Sequence, residues 1–394
     1  MIAYFDNSAT TKVDSDVVEA MIEMMTDNYG NPSSINSMGV RAEKRVKESR
    51  KTFSNIFKVD QKSIVFTSGG TEGNNLYIQG LANKVNRKKY NHIITSVIEH
   101  PAVYNTVKYL EEKHGFDATY LEVDETGRIS LQELKESLRE DTFLVSIMHV
   151  NNEVGSIQKV EEIVKICREY NPSIKVHSDG VQAFGKLSLS DSENYSYNLK
   201  KLAIDAYTVS GHKINGPKGT GVLYVKNTSD ILPLLYGGSQ EDGIRPGTEN
   251  VPGVIGLGIA ASKLSNDKVK SIRRVRDYFY NKLSEELGEK IKFNSEISDE
   301  YVSHILNVTF VGLRGEVLIH QLETKDIYGS TGSACSSKDK KYSRILHEMG
   351  ISDEDKEGAI RFSFGHENTL EQVDYAVEEI KKAVDFLDSI IKRR

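Results

Sequence analysis

The sequence predicts an α/β protein: a large domain on a mostly parallel central sheet, followed by a smaller α+β domain. Three observations predict it. Short runs rich in Val and Ile alternate with amphipathic helical patterns, which is how a parallel sheet covered by helices reads. The pattern changes near residue 260, where long charged helical stretches take over. The chain has 394 residues, more than one ordinary domain holds. We expect the large domain over 14–260 and the smaller one over 1–13 together with 261–394.

Met1–Asp6 reads as a short strand. Buried strands are then expected at Ser63–Thr67, His92–Ser96, Ala118–Val123, Phe143–Met148, Ile174–His177, Ala206–Val209 and Gly221–Val225. Between them the spacing predicts helices over Thr71–Val85, Pro101–His114, Ser130–Leu138 and Val160–Tyr170, with Ser130 and Glu133 as a capping box. Ser188–Leu202 reads as a polar loop. Ser262–Leu287 reads as a long charged helix, and His304–Phe310 and Ile360–Phe364 as strands of a second sheet. Thr369 and Gln372 cap a last helix, whose apolar residues from Leu370 to Ile391 recur three or four apart.

Composition narrows the function. Lys plus Arg number 51 and Asp plus Glu 57, a net charge of −6, with no basic block to suggest direct nucleic-acid binding. No apolar run reaches the roughly 20 residues of a membrane span, and no signal peptide is expected. Cys167 and Cys335 are the only cysteines, which fits a reducing cytoplasm, and the ten scattered histidines suggest no metal site.

Ligands of such sheets bind beyond the carboxyl ends of the strands, and the unusual polar residues fall there. Lys213 follows a strand in Ser210-Gly211-His212-Lys213, ahead of a glycine turn, and suits a Schiff-base lysine with anion-holding neighbours. Asp179 ends another strand, in Ser178-Asp179-Gly180-Val181-Gln182. It could face a cationic ring nitrogen, or simply cap a helix. Gly69-Gly70-Thr71 opens a helix and could cradle an anion, though no Walker lysine follows. His100, before Pro101, could stack on a ring and move protons, or cap its helix. Cys335 lies in Gly329-Ser330-Thr331-Gly332-Ser333-Ala334-Cys335-Ser336-Ser337, a run that cannot pack a core and should leave the thiol reachable. Cys167 lies on an apolar helical stripe and is assigned to the core. Arg361, in a strand, wants a carboxylate from the protein or a substrate. Gly256-Leu257-Gly258 loosely imitates a dinucleotide fingerprint but follows no strand, so it is assigned to helix packing.

Together these motifs resemble the cysteine desulfurases of the class V aminotransferase family, fold-type I pyridoxal-phosphate enzymes. The resemblance runs over nearly the whole chain. It takes in Tyr4 to Thr11, Tyr29-Gly30-Asn31-Pro32-Ser33-Ser34, His149 to Gly155, Ser210 to Lys213, Arg245-Pro246-Gly247-Thr248-Glu249-Asn250, Gly332 to Cys335 and Arg361-Phe362-Ser363.

The resemblance implies a role for each position. Lys213 would hold pyridoxal 5'-phosphate, His100 would stack on its ring, Asp179 would pair with the ring nitrogen and Gln182 with the phenolic oxygen. Thr71, beside Gly70, with Ser210 and His212, would hold the phosphate, and Thr248 would reach the partner subunit's cofactor in a homodimer. Asn152 and Arg361 would bind the carboxylate of L-cysteine. Cys335 would take the sulfur as a persulfide for an iron–sulfur scaffold or a tRNA-thiolating sulfurtransferase. Selenocysteine lyases and other class V aminotransferases are the alternatives, and a cofactor-free scaffold would not need Lys213 and Asp179. Three departures from the family pattern are Asn36, where a histidine is common, Ser178-Asp179-Gly180 in place of Val-Asp-Ala, and a longer Ser188–Leu202 stretch.

Overall fold

The structure is a computed structural model and describes residues 1–188, 197–331 and 343–391. Its strands are β1 (Ala3–Tyr4), β2 (Ile64–Thr67), β3 (His92–Ser96), β4 (Asp117–Leu121), β5 (Thr142–Ser146), β6 (Lys175–Asp179), β7 (Ala206–Ser210), β8 (Gly221–Val225), β9 (Ile291–Phe293), β10 (Ile305–Phe310), β11 (Ile327–Tyr328) and β12 (Ala359–Ser363). The α-helices are α1 (Ser15–Thr26), α2 (Ser37–Phe57), α3 (Gly70–Ala82), α4 (Pro101–His114), α5 (Leu131–Ser137), α6 (Val160–Tyr170), α7 (Leu199–Leu202), α8 (Val251–Ser262), α9 (Asn266–Leu287), α10 (Gly315–Glu323), α11 (Arg344–Glu348), α12 (Asp353–Glu357) and α13 (Leu370–Ile391).

Seven strands form the main sheet in the order β2-β8-β7-β6-β5-β3-β4. From β7 to β4 every pair is parallel, and β8 alone runs against both its neighbours. The strands that read as continuous apolar runs, β2, β3, β5, β7 and β8, are buried along their whole length, as a sheet covered on both faces requires. A second, antiparallel sheet has the order β12-β10-β9, and β1 pairs in parallel with β11. Two large apolar clusters follow. One runs from Val17 to Ala261 with Val302 and Ile305, and the other joins Ala3 and Phe5 to residues between Ile272 and Val384.

Three local expectations need comment. The helix expected over Ser262–Leu287 starts later, because Ser262 ends α8. The chain breaks at Lys263–Ser265, and the Ser265 hydroxyl accepts the Lys268 N–H to start α9. The box at α5 is half formed. Ser130 accepts the Glu133 N–H at 3.2 Å, but the Glu133 carboxylate turns to the Glu122 N–H. At α13 both halves exist, Thr369 and Gln372 each accepting the other's backbone N–H.

The glycines of α8 do serve packing. A Cβ at Gly258 would come within 2.4 Å of Ser49 on α2, and one at Gly256 within 2.9 Å of Met21 on α1. Of the polar stretch Ser188–Leu202, residues 189–196 lie outside the described residues. Among the described residues no helix is long and apolar enough to cross a membrane.

Candidate active site

The carboxyl ends of β6 and β7 bring Asp179 and Ser210 side by side, since Asp179 pairs with Thr208 across the sheet. Asp179 is buried, and each oxygen has one donor. Oδ2 accepts Asn74 Nδ2 at 2.6 Å and Oδ1 accepts the Val181 N–H at 3.0 Å. The capping expectation for Asp179 is met at the turn that follows, through the Val181 N–H. Gly180 follows because of Tyr207. A Cβ there would lie 1.8 Å from the Tyr207 ring, whose hydroxyl bonds His149 and Tyr197. The alanine common at that position has no room beside this tyrosine.

Lys213 sits in the single turn after β7. Its Nζ donates to the carbonyls of Ser8 at 2.5 Å and Ala9 at 2.8 Å. The Ser8 carbonyl also accepts Gln182 Nε2 at 3.0 Å, so one oxygen holds the lysine and the amide next to each other. The N-terminal segment makes this possible. It leaves the second sheet at Phe5, whose carbonyl accepts the Ser363 N–H, and then crosses the face of the Lys213 turn. There Thr11 binds the His212 carbonyl and the Thr10 hydroxyl meets His212 Nδ1 at 3.2 Å.

A candidate anion cradle lies where α3 begins. Gly69 has φ +151, a backbone conformation that favours glycine, and the space above it opens toward the Ser210 hydroxyl, 3.9 Å from where a Cβ would be. The first-turn N–H groups of Gly70 and Thr71 lie there too, with Thr71 exposed. Burial, with Lys213 and Lys218 adding to it, lowers the His212 pKa to about 4, so its imidazole is neutral at pH 7.

His100 lines a cleft of about 410 Å³ with Thr71, Asn75 and Tyr109. It is the N-cap of α4, its Nδ1 accepting the Ala102 N–H at 3.1 Å. A backbone N–H can only donate, so the neutral ring carries its proton on Nε2. Burial holds its pKa below the ordinary value, against the pull of Asp179. The capping expectation is met, and the cap fixes the tautomer.

Arg361 is buried on β12. Its Nη1 donates to the Asn152 carbonyl at 2.8 Å, and its Nη2 to Asp6 Oδ1 at 2.9 Å. Its Nε is buried without a hydrogen-bond partner, so N–H donors remain on one edge of the guanidinium for a bidentate carboxylate. Asn152 meets Arg361 through its main chain, and nothing brings its amide to the guanidinium. Thr248 is exposed on the loop before α8, consistent with reaching outward. Cys335 lies outside the described residues. The chain on either side returns to this region: Ser330 exchanges both backbone hydrogen bonds with Arg361, at 3.0 and 2.7 Å, and the Ser343 hydroxyl donates to Glu153 Oε2 at 2.5 Å. Cys167 is in the core, fully buried, and burial raises its thiol to about 12.

The family model for class-V aminotransferases matches residues 3–376. The cysteine desulfurase IscS of Methanosarcina thermophila is 42% identical over 386 residues, covering 98% of this chain and 92% of that protein. The chain belongs to the cysteine desulfurases of the class-V aminotransferase family. The cysteine desulfurase IscS of Rickettsia typhi is 42% identical over 390 residues, covering 98% of this chain and 91% of its own. Among solved structures, a NifS-like protein superposes with a TM-score of 0.88 at 36% identity, covering 98% of this chain and all of that one. The fold-type I architecture expected for the family is therefore the fold of this chain. Sequence reasoning missed Asn74, Asp6, the Ser8 carbonyl and His304 in this site. Asp6 and Ser8 stood inside the Tyr4–Thr11 motif, but nothing in a string of residues says that Ser8 would contribute its main chain.

Proposed function

We propose that this chain converts L-cysteine to L-alanine with pyridoxal 5'-phosphate as its cofactor, and that Cys335 takes the sulfur as a persulfide. The observation that carries the reading is the convergence on Ser8. One carbonyl holds an amine and an amide together beside a buried carboxylate at a strand end. The residues present fit the cofactor: a lysine for its aldehyde, Asp179 for its ring nitrogen, Gln182 for its phenolic oxygen, and a glycine-opened helix start with Ser210 and His212 for its phosphate. Bound there, the cofactor supplies an electron sink for the substrate's Cα.

The chain's own residues supply the rest. Lys213, released from the Ser8 and Ala9 carbonyls, is placed to take the Cα proton. His100 offers Nε2–H over the ring as a proton donor. Arg361 holds the substrate carboxylate, with the Asn152 segment fixing one end of the guanidinium. The Cys335 thiolate attacks the substrate sulfur as the Cβ–S bond breaks. The products are alanine and one new S–S bond on Cys335, so the thiol's oxidation balances the reduction of Cβ. Thr331, the last described residue before Cys335, is four positions away, a reach of about 14 Å from a backbone bonded to Arg361.

Thr248 is assigned to the partner's phosphate site, and the functional unit to a homodimer. The division into 14–260 and 1–13 with 261–394 is supported by the two apolar clusters. A sulfur-acceptor protein, an iron–sulfur scaffold or a tRNA-thiolating sulfurtransferase, would take the persulfide. Cytoplasmic residence fits a persulfide donor, which needs a reducing compartment.

Mass spectrometry after brief exposure to cysteine tests the reading. It should find 32 Da, roughly one sulfur atom, on the Cys335 peptide, and Cys335→Ser should keep cofactor and substrate binding but release no sulfur. Cys167→Ser should leave turnover unchanged. Extra mass on Cys167 instead, or full activity in Cys335→Ser, would overturn the role of Cys335 and favour an aminotransferase.

A further inference from the structure

His304 is fully buried at the start of β10, where its own carbonyl accepts the Phe364 N–H. Its Nε2 lies 3.0 Å from Gln182 Oε1, and its Nδ1 is buried with no hydrogen-bond partner. The two ends of the Gln182 amide can be told apart by their neighbours. One end faces the Ser8 carbonyl at 3.0 Å, which can only accept, so that end is the NH₂. The other end is then the oxygen, which can only accept from His304. The His304 proton must therefore sit on Nε2, and a flipped amide would set two acceptors against each other at Ser8.

The surroundings hold the ring in this state. Burial is the main cause of its low proton affinity. The charged groups around it, Lys186, Arg361, Lys213 and Arg276, are all cations and all oppose a second proton. They come from four elements: the turn after Gln182, β12, the turn after β7 and α9. The amide requires a proton on Nε2, and burial among these cations excludes a second proton on Nδ1.

We propose that His304 is a positioning residue that fixes the Gln182 amide with its second N–H toward the cofactor's phenolic oxygen. The NH₂ has two hydrogens and Ser8 takes one. The other lies on the same nitrogen, beside the carbonyl that also holds Lys213. His304 and Arg361 sit on paired strands, with Asn307 opposite Arg361 and Ile305 opposite Ser363. One small sheet thus delivers both the carboxylate-binding guanidinium and the group that aims the phenolate-binding amide. The proposal rests on Gln182 being the phenolate partner.

Two measurements test it. The first needs no variant and no cofactor: long-range ¹⁵N–¹H spectra of the histidine-labelled, cofactor-free protein. His304 should show the Nε2–H tautomer and should not titrate between about pH 6 and 8. An Nδ1–H tautomer, or titration in that range, would overturn the proposal. The second is the dissociation constant of pyridoxal phosphate and the absorbance of its Schiff base, measured on Gln182→Ala, His304→Phe and His304→Gln. Gln182→Ala and His304→Phe should each weaken cofactor binding about threefold to tenfold, the range of one lost hydrogen bond. Both should shift the absorbance in the same direction. His304→Gln can place an amide N–H where Nε2–H was, and should restore both. If Gln182→Ala changes neither quantity, the phenolate reading of Gln182 fails and this proposal with it. If Gln182→Ala weakens binding while His304→Phe does not, only the role of His304 fails.

Discussion

Glu99 gives the sharpest test of the electrostatics around this site. It precedes His100, is completely buried, and its Oε1 accepts the Ser96 hydroxyl at 2.8 Å and the Met148 N–H at 2.7 Å. Its Oε2 is buried with no hydrogen-bond partner, and Arg344, whose Nη2 donates to the Glu99 carbonyl, opposes the effect of burial only weakly. Burial raises its pKa to about 8, with Asp179 adding to the effect. The folded protein therefore keeps a proton that the unfolded chain gives up near pH 4.5. Stability is greatest at low pH for this group and falls as pH rises through that window, by about 1.4 kcal/mol per unit. Between pH 6.5 and 8 the loss is about 2 kcal/mol.

That interval separates Glu99 from the groups that act elsewhere. Most of the cost from His92, His149 and His212, lowered to about 4, and His177, lowered to about 3, falls below pH 6.5; what remains has the opposite sign and cancels between the native chain and the variant. Lys186, lowered to about 8, and Cys167, raised to about 12, act on the alkaline side. Glu153, also raised by burial, adds a loss of the same sign. In Glu99→Gln the amide oxygen keeps both donors, and the NH₂ costs about 1–3 kcal/mol for a buried donor without an acceptor, at every pH. The variant should be less stable at pH 6.5 but lose about 2 kcal/mol less than the native chain on going to pH 8. Urea unfolding of the cofactor-free protein at fixed concentration, followed by far-UV circular dichroism, measures the difference. Equal slopes for the two proteins would refute a protonated Glu99.

Two further outcomes follow from the geometry. Arg361→Lys loses the fork held by Asn152 and Asp6, and should raise KM for cysteine at least tenfold, about 1.4 kcal/mol, with a smaller effect on kcat; steady-state kinetics reads the split, and an unchanged KM would remove Arg361 from carboxylate binding. Gly180→Ala puts a Cβ into the Tyr207 ring and should cost about 1–3 kcal/mol by urea unfolding; a variant as stable as the native chain would refute the close approach of Tyr207.

Much of the fold was legible because the main sheet is buried on both faces. His92–Ser96 and Gly221–Val225 are strands with the bounds expected, since a short run centred on β-branched or apolar residues and flanked by turns admits few other solutions. The antiparallel β8 was not legible. An apolar pentapeptide carries no sign of its direction, and only the short Gly211–Thr220 connection hints that no crossover helix intervenes. The helix break at Lys263–Ser265 was missed because Ser262 and Ser265 look alike as helix starts. Lys213, Asp179 and His100 could be picked out as candidates because each follows the end of a strand pattern, and Arg361 because it interrupts an apolar strand. The main-chain bond from Arg361 to Asn152 could not be foreseen, since it uses a carbonyl that every residue has.

The site's dependence on the first ten residues has a physical consequence. β1 adds to β11, Phe5 packs in the second apolar cluster, and Asp6 pairs with Arg361, so this segment is anchored outside the main sheet. Yet Ser8, Ala9, Thr10 and Thr11 contact Lys213, Gln182 and His212, which belong to the turns after β6 and β7. The segment is therefore a strap between the two clusters. Its carbonyls occupy the Lys213 ammonium, and they are acceptors that cannot follow the lysine if it moves. Any reaction in which Lys213 carries a proton away from its resting place must break two hydrogen bonds to the strap and later remake them. In the cofactor-free chain those bonds hold the amine at one defined position, beside the Gln182 amide on the same carbonyl.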